Sequence, residues 1–258
     1  MMNHEEHDGY TLSLQSEDMA IGQLQELEPD DERVFALEVQ ALEHDLLEMA
    51  SRAESMVGQA ADALSRMDVP LAHLVITSDD EVDQLDLDIE IRCLRLLGLR
   101  PPNVSDIRLI GTALKMITDI ERVADLAVDI AKCSLKIDKA MVEPDFVDLY
   151  GITFAARSMF REAIEAFVRR DLERCESVAH REVEVDALYR ELRDQIHHHM
   201  QTDPDSAVAA SWMLLAVHHL ERIADHALNV AERVAFMITG ELRQLDAEQA
   251  QAPRLEPS

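Results

Sequence analysis

The sequence predicts an all-α fold of two tandem, pseudo-symmetric three-helix bundles, and three observations carry that expectation. Residues 116 to 131, MITDIERVADLAVDIA, reappear at 216 to 231 as AVHHLERIADHALNVA, so one plan is used twice. Apolar residues recur at threes and fours over stretches of about 30 residues, the period of helices that bury one face. Composition agrees, with seven glycines, eight prolines and only 4% aromatic residues among runs of Ala, Leu, Glu, Asp and Arg.

Residues 1–31 are polar and acidic, carry Gly9, Gly22 and Pro29, and lack a sustained period, as expected of a flexible extension. The first repeat is expected over 32–143. Its opening helix starts at Glu32 and follows the stripe Leu42, Leu46, Met49, Ala53, Met56, Val57, Ala60 and Leu64; at 1.5 Å per residue it runs for roughly 45 Å before Asp68 to Pro70 end it. The second helix carries Val82, Leu85, Ile89, Cys93 and Leu96 and is expected to stop at Gly98, ahead of Pro101 and Pro102. Ser105 and Asp106 start the third, whose stripe of Ala113, Ile117, Ile120, Ala124, Ala127, Val128 and Ala131 points on towards a break at Glu143 and Pro144.

The second repeat, expected over 144–242, follows the same plan. Met159 matches Met56, Asp171 matches Asp68 and Asp186 matches Asp83, each 103 residues on, whereas the third helices align at 100. A three-residue deletion between second and third helices reconciles the offsets, because QTDPDSA, with Asp203, Pro204 and Asp205, is tighter than GLRPPNVSD. Residues 243–258 are expected to form a flexible tail.

A formal charge of −28 repels phosphate backbones and anionic lipid, which argues against direct nucleic-acid binding and favours cations or basic protein surfaces. The longest purely apolar run, Trp212 to Val217, falls far short of the roughly 20 residues that cross a bilayer, so no transmembrane segment is expected. The start MMNHEEHDGY has neither the basic region nor the apolar stretch of an export signal, which points to the cytoplasm. Cys93, Cys133 and Cys175 are odd in number and form no CxxC pair, so they read as small apolar fillers in a reducing compartment.

The chemistry-bearing feature is acidic. Glu121 and Asp125, and their counterparts Glu221 and Asp225, stand four apart and roughly 60° to 100° from the centre of their apolar stripes, bordering the core. Asp79 and Asp83 repeat the spacing on the second helix, continued by Asp86 and Glu90; Glu182 and Asp186 are the matching pair of the second copy. Like charges at this spacing repel by roughly 0.2 to 0.5 kcal/mol per pair, so something should offset them. Two readings stand: solvated faces neutralised by Arg122, Arg222, Arg181 and water, or oxygen-rich sites between neighbouring helices for iron, manganese, magnesium or zinc.

LERIADHALNVAE at 220 to 232, DIERVADLAVDIA at 119 to 131, DDEVDQL, REVEVDAL, and LEHDLLEM at 42 to 49 resemble the PhoU family over about residues 33 to 240. That resemblance implies a cytoplasmic, non-enzymatic negative regulator of phosphate uptake and of phosphate-starvation signalling. It further implies action with the ATPase of the phosphate-specific ABC transporter and with its sensor histidine kinase, and a homodimer. Multinuclear iron or zinc clusters on the acidic motifs are also implied, which assigns metal contact to Asp79, Asp83, Glu121 and Asp125, and to Glu182, Asp186, Glu221 and Asp225. The chain departs from the family's third-helix pattern RIGDHAxNIA, with Ala124 and Ala224 in place of Gly, and with Asp129, where the second copy keeps Asn229, adding charge to the first site.

Seven of the eleven histidines lie between His180 and His226, yet neighbouring histidines diverge on a helix, so at most one of His218 and His219 faces the acidic flank. His226 is expected to be solvated and the run His197, His198 and His199 to ligate nothing. Met49, Met56, Met116, Met159 and Met213 read as core. There is no HExxH, P-loop, GxSxG or ExxH pair of the di-iron kind, and His44 with Asp45 is too short a fragment to specify a phosphohydrolase. The competing reading is a metal-storage protein or metal-dependent phosphohydrolase on the same scaffold.

Overall fold

In a computed structural model the described residues are 29–137 and 147–245, and every regular element among them is helical. Helices α1 (Pro29–Arg66), α2 (Val69–Leu99) and α3 (Val104–Ser134) pack on one another as the first bundle. Helices α4 (Tyr150–Arg169), α5 (Leu172–Thr202) and α6 (Ala207–Thr239) form the second, with a single 3-10 turn, Pro204–Ser206, leading into α6.

The duplication reaches into the backbone. Met67 and Arg170, 103 residues apart, both adopt left-handed conformations, with φ of 51° and 54°, and let the chain reverse between first and second helices. The next residue in each copy caps the second helix: the Asp68 side chain accepts from the Leu71 N–H, and Asp171 accepts from those of Glu173 and Arg174. Residues 100–103 join α2 to α3, whereas only Asp203 separates α5 from the 3-10 turn, which is the three-residue deletion the two offsets require.

Several boundaries differ from expectation. Helix α1 begins at Pro29, not Glu32, because proline suits the first helical turn. Helix α2 passes through Gly98 and ends where Arg100 turns extended (φ −154°), as a residue preceding proline is driven to do. Helix α3 starts one residue ahead of Ser105 behind a reciprocal cap, in which the Asn103 side chain accepts from the Asp106 N–H and Asp106 Oδ2 accepts from the Asn103 N–H. It closes at Ser134, whose hydroxyl donates back to the Ala131 carbonyl, well before Glu143 and Pro144, which lie outside the described residues. Of the two expected flexible ends, residues 29–31 belong to α1, and the Leu245 N–H donates to Glu232 Oε1 while its side chain is buried. Residues 1–28 and 246–258 lie outside the described residues.

The stripes are buried in one cluster that runs through both bundles, with Leu42, Leu46, Met49, Leu64, Ile89, Leu96, Met116 and Ile120 from the first and Met159, Phe160, Phe167, Val178, Met213, Leu220 and Ile223 from the second. Met56 is core as well. The three cysteines are buried free thiols, and burial pushes Cys93 and Cys175 up to about 12 and Cys133 to about 11, which fits inert filling.

Two antiparallel crossings join the repeats. Helices α3 and α6 meet where Asp119 Oδ1 accepts from Asn229 Nδ2 at 3.3 Å and from His226 Nδ1 at 2.9 Å, and where the Thr112 hydroxyl donates to the Arg233 carbonyl at 3.3 Å. Helices α1 and α4 meet through Glu54, paired with Arg157 at 3.1 Å and with Arg161, and through Glu43 with Arg170. Gly58 lies against this pairing: a Cβ there would stand 2.9 Å from the Arg157 guanidinium carbon, so that side chain would have to shift.

Candidate metal-binding faces

The bundles set second and third helices side by side, and so set their acidic flanks face to face. In the first repeat, Asp79 on α2 is raised from 3.8 to about 6, chiefly by burial and then by Asp83 and Asp125, with Lys132 opposing. Glu121 on α3 is likewise raised by burial and by Asp125, Asp86 and Asp83, against Arg122. Carboxylates of two helices therefore share one field.

Part of that field is neutralised locally. Arg122 Nη1 donates to Asp125 Oδ2 at 2.7 Å, and its Nε stands 3.5 Å from Glu121 Oε2. Lys132 Nζ, whose charge opposes the upward shift of Asp79, pairs with Asp129 at 3.1 Å, and the charge of Asp129 also acts on the buried His219 of α6.

The second repeat carries the larger upward shift. Glu221 is raised from 4.5 to about 7 by burial first, then by Asp225, Asp186 and Glu182, with Arg222 opposing. Asp225 is also raised, by burial and Asp186 against His226 and Arg222. The Glu221 Oε2 atom is buried without a hydrogen bond; His218 Nδ1 lies 3.3 Å from it, at ion-pair distance. Arg181, expected to neutralise this face, pairs instead with Glu162 at 3.2 Å, because its position on α5 turns it towards α4.

The histidines divide as the helix geometry requires. His218 faces the acidic flank, whereas His219 is 9% exposed in the α3–α6 crossing with Nδ1 unpartnered, and burial lowers its pKa. His226 is not solvated: its ring is 15% exposed and held by Asp119. Sequence left open which of His218 and His219 faces the flank, although the spacing of three between His218 and Glu221 points to the first, and it did not single out Asp119, which holds His226 and Asn229.

All eight expected ligands thus lie on two faces, four to a repeat. Among the described residues, however, no three His, Cys, Asp or Glu side chains converge as a cage for a metal ion. The donor chemistry fits a hard or borderline cation, with oxygens from two helices and one buried oxygen lacking a hydrogen bond. Holding one requires the carboxylates to rotate inward. A cavity of about 540 Å³ between α1 and α4, lined by Gly58, Thr153 and Arg157 among others, contains none of the eight.

The PhoU domain model matches residues 46–134 and 152–234, which are the two bundles. The chain belongs to the PhoU family. A phosphate-specific transport system accessory protein PhoU homolog of Clostridium acetobutylicum is 31% identical over 215 residues, covering 83% of this chain and 97% of that protein. A PhoU homolog of Caulobacter vibrioides described in the same words is 33% identical over 210 residues, covering 80% and 90%. The crystal structure of the phosphate transport system regulatory protein PhoU from Streptococcus pneumoniae superposes with a TM-score of 0.75 at 30% identity, covering 81% of this chain and 99% of that one. PhoU from Pseudomonas aeruginosa gives 0.72 at 31%, covering 80% and 100%. Six helices in two bundles are thus the PhoU fold, and among the described residues no helix is long and apolar enough to cross a membrane.

Proposed function

We propose that this chain is an accessory regulator of phosphate transport, acting in the cytoplasm as a non-enzymatic adaptor. In this reading it joins the ATPase of the phosphate-specific ABC transporter to a phosphate-sensing histidine kinase, holds uptake and starvation signalling down when phosphate is plentiful, and works as a homodimer. The observation that carries the accessory role is the PhoU match across both bundles, with relatives named for phosphate-specific transport. The two acidic faces supply what an adaptor between basic surfaces needs, and they are also where metal ions, iron or zinc before manganese or magnesium, would bind. Asp79, Asp83, Glu121 and Asp125 would hold the first and Glu182, Asp186, Glu221 and Asp225 the second, with the ion offsetting the burial, and then the carboxylate repulsion, that raise Asp79 and Glu221.

Co-purification tests the adaptor: the full chain should retain the transporter ATPase or the kinase. Retention of neither, together with metal-dependent turnover of a phosphoester that is lost in Asp125→Ala, would replace this reading with a hydrolase. Metal binding has its own test. Replacing Glu121 and Asp125 together with Ala should remove about half of the tightly held metal while circular dichroism is unchanged, because both residues border the core. Unchanged metal content would eliminate the first face.

A further inference from the structure

We propose that the groove between the end of α1 and the start of α4, which none of the eight acidic residues lines, is a binding site for a nucleoside phosphate. Its cavity of about 540 Å³ is the size of a small-molecule site.

The duplication supplies a control. A second groove borders the same α1–α4 crossing towards the other ends of the two helices, and a shift of 103 residues maps one groove onto the other. There Arg161 and Ile164 stand where the first groove has Gly58 and Ala61, and the cavity shrinks to about 210 Å³. Its facing wall holds Ala50, Ser51 and Glu54 where the first has Thr153, Phe154 and Arg157. Both grooves border one crossing, so helix packing alone does not call for a wide one furnished with hydroxyl, guanidinium and aromatic groups.

Two polar groups of the wide groove lack partners. Thr153 is 8% exposed, and its hydroxyl is buried without a hydrogen bond, as is Nε of Arg157. A helical threonine can donate to a carbonyl three or four residues back, and an unpaired buried donor is costly, so both point to a ligand that brings oxygens. The carboxylates nearby are already answered. Glu54 accepts from Arg157 Nη2 at 3.1 Å and also from Arg161, so one carboxylate meets two guanidinium groups. Asp148 accepts from the Tyr150 N–H at the start of α4, where the helix dipole itself favours an anion. Asp62 stands 4.0 Å from the exposed Arg66, which leaves that guanidinium open to an oxyanion alongside Arg157.

The rim supplies the second half of the ligand. Tyr150 and Phe154, both exposed, stack with ring centroids 6.1 Å apart and 16° between their planes. An exposed aromatic pair beside an anion site offers a planar ring a face to stack on. Asp62, on the opposite wall, can accept from sugar hydroxyls or an exocyclic amine. Phosphate against guanidinium and hydroxyl groups, with a ring against the aromatic pair, is the chemistry of a nucleotide; inorganic phosphate would use only the first part.

Calorimetric titration of the full chain with ADP, GDP and UDP tests this, in a chelator so that no ion bridges phosphate to the acidic faces. At least one nucleotide should bind one per chain, about tenfold or more tighter than adenosine or inorganic phosphate. Phe154→Ser and Thr153→Ala install residues of the narrow groove; the first should weaken binding about 10-fold, through the lost stacking surface, and the second about 5-fold. Gly58→Arg copies Arg161 and should abolish binding, with circular dichroism as the folding control. Phe154 is exposed, so its replacement reads the site even where Gly58→Arg disturbs folding. No binding of any of the three at millimolar concentration would overturn the proposal, and so would binding that Phe154→Ser leaves unchanged. Inorganic phosphate or adenosine binding as tightly as the nucleotides would overturn the nucleotide as the ligand class.

Discussion

Replacing Glu221 with Gln should stabilise the metal-free protein above neutral pH, although the substitution removes a charged group beside His218. A carboxyl moved from 4.5 to about 7 would carry about 3 kcal/mol of desolvation and repulsion if water were excluded. The side chain keeps 21% of its surface in solvent and its neighbours are more exposed still, so screening brings the gain to about 1 kcal/mol. The sign follows from proton binding. Below pH 4.5 both folded and unfolded chains hold the proton and no penalty exists; between 4.5 and about 7 the folded chain retains a proton the unfolded chain has lost, so wild-type stability falls; above 7 the penalty is complete. Urea unfolding of both proteins in a chelator should therefore show the Gln variant ahead by about 1 kcal/mol above pH 7 and level with wild type below pH 4.5. Excess zinc or manganese should reverse the order, since an ion at a hundred times its dissociation constant adds about 2.7 kcal/mol to wild type and less to a chain missing a ligand. A wild type more stable than the variant above pH 7 without metal, or a difference independent of pH, would refute the account of Glu221 as a carboxylate penalised by burial and like charge.

Other substitutions address the scaffold. Asp171→Ala removes the acceptor for two backbone N–H groups at the start of α5 and should cost about 1 kcal/mol in urea unfolding, with Asp68→Ala at α2 costing no more because it accepts one. Ala224→Leu should cost about 1 to 3 kcal/mol in the same measurement: Ala224 is 1% exposed in the core, on the helix that packs against α3, α4 and α5, where added volume must displace its neighbours.

Much of this architecture is legible in the sequence because a bundle helix declares its buried face through its period. Leu42 to Leu64, Val82 to Leu96 and Ala113 to Ala131 are core as their spacing requires, except Leu85, which is only partly buried against it. The turns after α1 and α4 are less legible, since Met67 and Arg170 occupy left-handed positions where glycine is the usual signal; the surrounding packing imposes the conformation. His226 shows a second limit. Its place on the wheel is off the stripe of its own bundle, but α6 is buried on two sides, once within its repeat and once against α3, and a wheel measured from one stripe misplaces whatever faces the other. The acidic faces were visible through spacings of four. Which cation each carboxylate meets was not: Arg122 turns to its own helix neighbours and Arg181 to α4, choices between rotamers that sequence spacing leaves open.

The contacts between repeats explain why two copies in one chain differ where they meet. Arg157 stands at the position that Glu54 holds in the first copy, 103 residues earlier, so at the α1–α4 crossing a residue faces its own counterpart. Were the copies identical there, like would meet like, and two carboxylates or two guanidinium groups at 3.1 Å would repel. The α3–α6 crossing repeats the logic at an offset of 100. Asp119 meets Asn229, and the symmetry-related positions, His219 and Asp129, also lie within electrostatic reach of one another. At one end Asp119 accepts from Asn229 because it stands where the second copy has His219; at the other, Asp129 stands where that copy has Asn229, and its negative charge opposes the burial that lowers His219. The charge at Asp129 thus distinguishes the first repeat from the second where the two meet, while its ion pair is made with Lys132 of its own helix.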